Sequence, residues 1–249
     1  MSSNLPLTGE RTIPGIDHEN YWFRRHEVVY DAITDACADA DVLEAGCGEG
    51  YGADLLAGVA RSVQALDYDE QTVAHVRARY PRVEVSRANL VTLPVPDESI
   101  DVVVSLQVIE HLWDQERFLT ECRRVLRPGG RLIVSTPNRI TFTPDSDTPL
   151  NPFHTRELDP GELAGLVRDA GFGDVVVQGL HHGPRLREMD ERHGGLIAEQ
   201  TRLALSGEAW PEALVTDVAA VRAADFELYG DEPGHTLDDS LDLLVTATR

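Results

Sequence analysis

The chain has 249 residues, with 22 basic against 43 acidic side chains and a formal charge of −21. That length suits one α/β domain with a proper core and a small appended lobe. So negative a balance argues against nucleic acid or an anionic membrane as substrate, because both need a basic footprint, and it leaves open a short nucleotide or a neutral sugar. All the basic residues are arginine, which removes lysine as a catalytic base. Cys37, Cys47 and Cys122 are widely spaced and lack partners at metal-ligand spacing, so they read as free thiols in a reducing cytoplasm. No 18-residue apolar run and no cleavable leader is visible at the amino terminus, and the expectation is a soluble cytosolic protein without membrane insertion.

In chain order, residues 1–20 are polar and should drape over the body. Tyr21-Trp22-Phe23-Arg24-Arg25-His26 leads into a helix with Val29, Ile33 and Cys37 on one face. There follow a strand over 41–46, a helix over 51–59, a strand over 62–67, a helix over 70–80 and strands over 83–87 and 100–106. A helix over 114–127, with Phe118, Leu119, Cys122, Val125 and Leu126 at helical spacing, precedes a strand over 130–136. After a Pro- and Asp-rich loop (137–158), Asp159-Pro160-Gly161-Glu162 offers an N-cap, a proline at the first helical position and an early acid. Gly171 stops that helix, and a strand covers 174–180. Residues 181–225 read as an insertion with helices near 195–206 and 211–224, ahead of a last strand over 241–248. Such alternation implies an α/β, Rossmann-like sheet, mostly parallel, with helices on both faces. The expected division is an amino-terminal segment and helix (1–40) covering a ligand site, then one domain (41–249) carrying the insertion.

The densest signal is Val42-Leu43-Glu44-Ala45-Gly46-Cys47-Gly48-Glu49-Gly50: a buried strand, a glycine turn and a helix start. Asp67 lies 17 residues past Gly50, at the end of the next strand, where a carboxylate grips ribose hydroxyls in nucleotide-binding folds. An adenosine-containing cofactor follows. Gly48, Gly50 and Ala53 also fit a dinucleotide register, yet Glu44 would stand beside a pyrophosphate, and the motif begins late for NAD. The sulfonium and ammonium of S-adenosylmethionine (SAM) are cations that an acidic strand end attracts.

From Asp41 to Gly173 the chain resembles the class I SAM-dependent methyltransferases. Glu44 to Gly50 resembles the motif that cradles the methionine part, and Asp67 the acidic ribose ligand. Asn89-Leu90 resembles the adenine loop, where the family more often has Asp at the first position. Ile100 to Ser105, Val108 to Leu112 and Glu121 to Ser135 resemble the fourth strand, its following turn, and the helix, Pro-Gly turn and fifth strand. The resemblance implies Tyr21, Arg25, Glu44, Gly46, Gly48, Gly50, Asp67, Tyr68, Asn89, Leu90 and Gln107 as cofactor contacts, with Arg25 on the methionine carboxylate.

Methyl transfer needs positioning, and an alcohol acceptor also needs a base. With lysine absent, histidine is the first candidate. His154, in the loop after the fifth strand, is the leading base and His111, beside Glu110, the second; bracing the strand end is the duller role for Glu110-His111. Related quinol-precursor enzymes carry Glu-x-x-Glu-His here and bind a divalent metal. This chain has Gln107 at the first position, so metal is not favoured, although Asp145 or Asp147 offers a replacement carboxylate. His181 and His182 are expected to line the acceptor site. The insertion is expected to cover it and choose the acceptor, a packing lobe or homodimer contact being the alternative.

Gly9-Glu10-Arg11-Thr12-Ile13-Pro14 and Glu19 to His26 resemble actinobacterial, particularly mycobacterial, methyltransferases of polymethylated polysaccharides, of the methylglucose and methylmannose types. The lysine-free composition agrees with a GC-rich origin. The resemblance implies a sugar hydroxyl on a neutral oligosaccharide as acceptor. A methyltransferase of small phenols or amines, and a non-catalytic SAM-binding protein, are the rival readings.

Overall fold

The computed structural model describes residues 11–144, 146 and 148–249. Gly9, Glu10, Asp145 and Asp147 lie outside the described residues. Eight strands form one sheet in the order β3-β2-β1-β4-β5-β8-β6-β7: β1 (Asp41–Ala45), β2 (Ser62–Asp67), β3 (Glu84–Arg87), β4 (Ile100–Leu106), β5 (Leu126–Pro137), β6 (Gly173–His182), β7 (Phe226–Tyr229) and β8 (Asp242–Thr248). The pairs from β3 through to β5 are parallel. β8 slots antiparallel between β5 and β6, so β6 runs with β5, and β7 turns back along β6. The expected mostly parallel α/β sheet is therefore present.

Side chains alternate across the strands and divide the core between two faces. Val42, Val102, Val104, Ile133 and Leu244 point to one face, where they meet α1 (Asn20–Cys37), α2 (Tyr51–Leu56) and α3 (Glu70–Arg79). Leu43, Val103, Leu132, Val134 and Val245 point to the other, against α4 (Gln115–Val125) and α6 (Pro160–Asp169). A short α5 (Arg139–Phe142) follows β5. Local chemistry fixes the helix starts. The Asp159 side chain accepts the Glu162 amide while the Glu162 carboxylate accepts the Asp159 amide, so two otherwise orphaned donors are satisfied. Asp114 caps α4 in the same sense, through the Arg117 amide.

The inserted segment differs from its sequence reading. It holds three helices, α7 (Pro184–His193), α8 (Leu196–Ser206) and α9 (Glu212–Ala219), and its exit forms β7 on the sheet edge. The helix over 51–59 stops at Leu56 and that over 114–127 at Val125, where the chain already enters β5. Leu186, Met189, Leu196, Leu203, Leu214 and Val218 sink into the same core as α1. Asn20, opening α1, donates to the carbonyls of Val218, Ala219 and Val221 at 3.1, 3.1 and 2.8 Å and so caps the end of α9.

Arg25 fastens α1 to the sheet. Its Nε and Nη2 donate to the Asp242 carboxylate, both at 2.6 Å, and Nη2 reaches the Leu241 carbonyl at 2.9 Å. Both side chains are 2 % exposed. Removing one partner of such a pair leaves a buried charge and costs roughly 3–5 kcal/mol. Asp242→Ala is therefore expected to lower the melting temperature on the order of 10 °C in differential scanning calorimetry. A loss below about 1 kcal/mol would mean that the nearby Glu110 carboxylate takes over the arginine.

Candidate active site

The chain leaves β1 toward β2 and β3 on one side, and β4 and β5 lie on the other. A ligand cleft in such a sheet opens at the carboxyl ends of β1 and β4. At the end of β1, Gly46, Gly48 and Gly50 all have positive φ. Gly48 is the open one: a Cβ built there meets nothing closer than Arg11 Cβ at 4.0 Å, so a ligand can approach the backbone. Its amide donates to Asp67 Oδ2 at 3.0 Å, and the Asp69 amide donates to Oδ1 at 2.9 Å. Burial raises the Asp67 carboxyl against these donors. Residues 11–13 lie across this turn. Arg11 donates to Thr72 Oγ1 at 2.6 Å and to Asp69 at 3.3 Å, and Thr12 meets the Tyr51 hydroxyl at 3.1 Å.

Glu44 is fully buried. The Tyr30 hydroxyl donates to its Oε1 at 2.6 Å, while Oε2 has no partner among the described residues. Gly52 permits this contact, because a Cβ there would stand 2.0 Å from the Tyr30 ring. Desolvation pushes the Glu44 carboxyl up to about 8 despite the tyrosine. The cleft thus holds a buried acid with one oxygen facing no donor, the electrostatic complement of a cation. Further along the edge, Tyr68 is 68 % exposed, Asn89 is exposed with Oδ1 accepting the Val91 amide, and Leu90 is buried. Gln107 has a left-handed backbone, and its amide and Nε2 donate to the Ser135 carbonyl and hydroxyl.

Tyr21 and Arg25 lie deeper than the sequence suggested. Tyr21 is fully buried with its hydroxyl 2.7 Å from His182 Nε2, and the fork of Arg25 that would meet a methionine carboxylate is spent on Asp242. Only Nη1 of Arg25 remains, buried and without a partner among the described residues. His182, pushed down to about 4 chiefly by burial, is locked behind Tyr21 rather than lining an open acceptor site. His181 is 9 % exposed and turns the other way, toward Tyr229 and His235. Strand alternation accounts for the split: neighbours on β6 must face opposite sides.

The turn after β4 and the loop after α5 converge. The Thr155 amide donates to the Glu110 carbonyl at 2.7 Å, and its hydroxyl donates to the Leu112 carbonyl at 2.8 Å. Gln115 Nε2 ties the Ile109 and Arg156 carbonyls together at 2.9 and 3.0 Å. These latches bring His111 and His154 edge to face, with ring centroids 4.9 Å apart. His154 Nδ1 lies 2.6 Å from Glu157 Oε1, and Asn151 Nδ2 lies 3.0 Å from its Nε2. An amide NH2 only donates and a carboxylate accepts, so His154 carries its proton on Nδ1 and presents Nε2 as the acceptor. His111 Nδ1 likewise faces the Phe153 carbonyl at 3.0 Å and carries the proton there. Glu110, 1 % exposed, accepts the Thr136 hydroxyl at 3.0 Å, and burial pushes its carboxyl up to about 8.

Glu157 and Asn151 were not singled out in the sequence, although His154-Thr155-Arg156-Glu157 carries a weak signal in its three-residue spacing. Glu110, His111 and His154 each offer a ligand atom within 4.8 Å of the others, a set of three that could hold a metal ion without Gln107.

A sequence profile described as a methyltransferase domain matches residues 43–134. A protein of Mycobacterium tuberculosis (strain H37Rv), named a probable S-adenosylmethionine-dependent methyltransferase, is 64 % identical over 246 residues, covering 98 % of this chain and 90 % of that one. The chain belongs to the SAM-dependent methyltransferases. A similarly named protein of Mycolicibacterium smegmatis is 62 % identical over 250 residues, covering 100 % of this chain and 97 % of its own. Among solved structures, a SAM-dependent methyltransferase from Thermotoga maritima aligns over 93 % of this chain and 94 % of its own with a TM-score of 0.63 and 19 % identity, a likeness in fold alone. As in the other SAM-dependent methyltransferases, the cofactor is SAM. Glu44 Oε2, without a partner among the described residues, and the open backbone at Gly48 fit a ligand that carries an ammonium and a sulfonium. The described residues contain no helix long and apolar enough to cross a membrane.

The raised carboxyls have a linked consequence. Glu44 and Glu110 stand near 8 in the folded protein against 4.5 for the ordinary group. Between those values the folded state holds protons that the unfolded chain has released. Their stabilising contribution is complete below the lower value and is lost as pH rises through the upper one. A cationic cofactor favours ionised Glu44, so stabilisation by SAM should grow across the same window. The melting temperature without cofactor is expected to fall as pH rises from about 4.5 to about 8, with the shift on adding SAM larger at the upper end. Glu44→Gln should flatten the dependence of that shift; a flat profile in the unaltered protein would remove Glu44 as the group that meets the cation.

Proposed function

We propose that the chain is an O-methyltransferase whose acceptor is a hexose hydroxyl on a neutral oligosaccharide, of the methylglucose or methylmannose type. The observation that carries this reading is the Glu157–His154 pair, 2.6 Å apart beside His111. It suits an acceptor that must lose a proton as weakly acidic as that of a sugar hydroxyl. The charge of −21 supports a neutral acceptor, which needs no electrostatic steering.

Bound at the end of β1, SAM supplies an electrophilic methyl and departs as a neutral thioether. The chain's residues supply the rest. The acceptor hydroxyl replaces the Asn151 amide on His154 Nε2 and gives its proton to that nitrogen. Glu157, 3 % exposed, keeps the ring in the required tautomer and stabilises the imidazolium. Glu110 braces the pair, its carbonyl holding Thr155 and therefore the His154 loop. The segment over 181–225 runs on from the carboxyl end of β6, and its proposed role is to cover the acceptor and select it. Loss of His154 as His154→Ala should lower kcat by roughly 10²–10⁴-fold in labelled-methyl transfer to glucose and mannose oligosaccharides, with SAM affinity by calorimetry preserved. Transfer to small phenols or amines, and to no sugar, would replace the acceptor assignment.

A second reading rests on the convergence of Glu110, His111 and His154 within 4.8 Å. These three would hold a divalent ion that lowers the acceptor's acidity barrier. A ubiquinone biosynthesis O-methyltransferase of Rhizobium rhizogenes is 34 % identical over 102 residues, covering 39 % of this chain and 41 % of its own. Dialysis against EDTA distinguishes the readings. Retained turnover is expected for the histidine base; turnover lost and then restored by magnesium or manganese would transfer the role to the metal.

A further inference from the structure

Nine large apolar side chains stand out as exposed among the described residues, and four of them belong to the two segments that build the histidine pair. Trp113 is 91 % exposed, directly after the turn that carries His111. Ile140, Leu150 and Phe153 are 37, 67 and 44 % exposed, on the stretch that leads to His154. The two segments are held edge to edge by Thr155 Oγ1 on the Leu112 carbonyl and by His111 Nδ1 on the Phe153 carbonyl. An exposed indole on the lip of a catalytic cleft has neither a packing role nor a cap to perform, and clustered apolar exposure marks a binding surface.

The charges around it narrow the occupant. Asp114 and Glu116, next to Trp113, are exposed carboxylates. Arginines on these segments and on α4 are ion-paired: Arg156 with Glu162 at 3.3 Å, Arg117 with Glu121 at 3.9 Å and Arg139 with Asp159 at 2.7 Å. An anionic ligand or an anionic bilayer would meet repulsion. A pyranose matches both features, because its C–H face lies flat on an indole while its hydroxyls donate to carboxylates.

Resting on the acceptor reading above, we propose that Trp113, on the segment tied to the one that carries Leu150 and Phe153, is a stacking platform for the hexose unit adjoining the one methylated, and that it makes the enzyme prefer an oligosaccharide to a single sugar. Trp113 is almost wholly in solvent, so Trp113→Ala leaves the fold intact, with melting temperature and SAM affinity as checks. Initial rates are compared on a neutral tetrasaccharide of glucose or mannose and on the corresponding methyl monosaccharide. The ratio of kcat/KM between them is expected to fall about tenfold in Trp113→Ala, through KM for the tetrasaccharide, and to recover largely in Trp113→Tyr. An unchanged ratio, in a protein that does methylate the tetrasaccharide, overturns the platform and leaves the sugar acceptor standing. Absence of transfer to any neutral glycan by the unaltered protein overturns both. Binding to phosphatidylcholine vesicles that Trp113→Ala abolishes, with the sugar ratio intact, assigns the rim to lipid and also overturns the platform.

Discussion

A carboxyl group buried at the end of the first strand, with one oxygen held by Tyr30 and the other without a partner among the described residues, is the constraint around which the cleft is arranged. Burial without a counter-charge is unfavourable for the ionised acid, and the fold accepts it by placing α1 and α2 close enough for Tyr30 to reach Glu44 past Gly52. Helix α1 is also anchored to β8 through Arg25 and Asp242. The same helix begins with Asn20 on the carbonyls at the end of α9. One helix therefore touches the cofactor side of the cleft, the sheet and the inserted lobe, and a shift of any one is felt by the other two.

The parts written in local chemistry were legible from the sequence. The glycine turn, the acid at the end of β2, the amphipathic face of α4 and the capping box of α6 each depend on residues a few positions apart. What was missed depends on distance or on weak pattern. Arg25 was free to hold a carboxylate on paper because its partner Asp242 lies 217 residues away. Helix α7, Pro-Arg-Leu-Arg-Glu-Met-Asp-Glu-Arg-His, buries only Leu186 and Met189, too thin a stripe to announce itself. The four residues of β7 become a strand only because β6 offers an edge. Glu157 was invisible as a partner because its value comes from the loop that curls His154 onto it.

His154 shows how a single ring can serve two chemistries. A carboxylate on Nδ1 fixes the tautomer that exposes Nε2, which is what a base requires and equally what a metal ligand requires. The two uses differ in what they ask of Glu110. Burial raises its carboxyl to about 8, so a metal would have to take the place of its proton, as the cationic cofactor does at the equally raised Glu44. The base needs only the neutral imidazole that the hydrogen bonds already select.

Charge conservation in the cleft joins the two halves of the proposed site. Methyl transfer turns a cationic cofactor into a neutral thioether and releases a proton from the acceptor. Were that proton lost at once to solvent, the acidic groups at the two ends of the cleft, Glu44 and Asp67 at one and Glu157 at the other, would be left with one cation fewer. A proton retained on His154, opposite Glu157, replaces the lost positive charge within the same cleft, and Glu44 is poised to take a proton when the ligand no longer needs its charge. An acidic cleft of this kind holds the charged cofactor more firmly than its neutral product. The electrostatics that bind SAM thus also favour release of what the reaction makes of it.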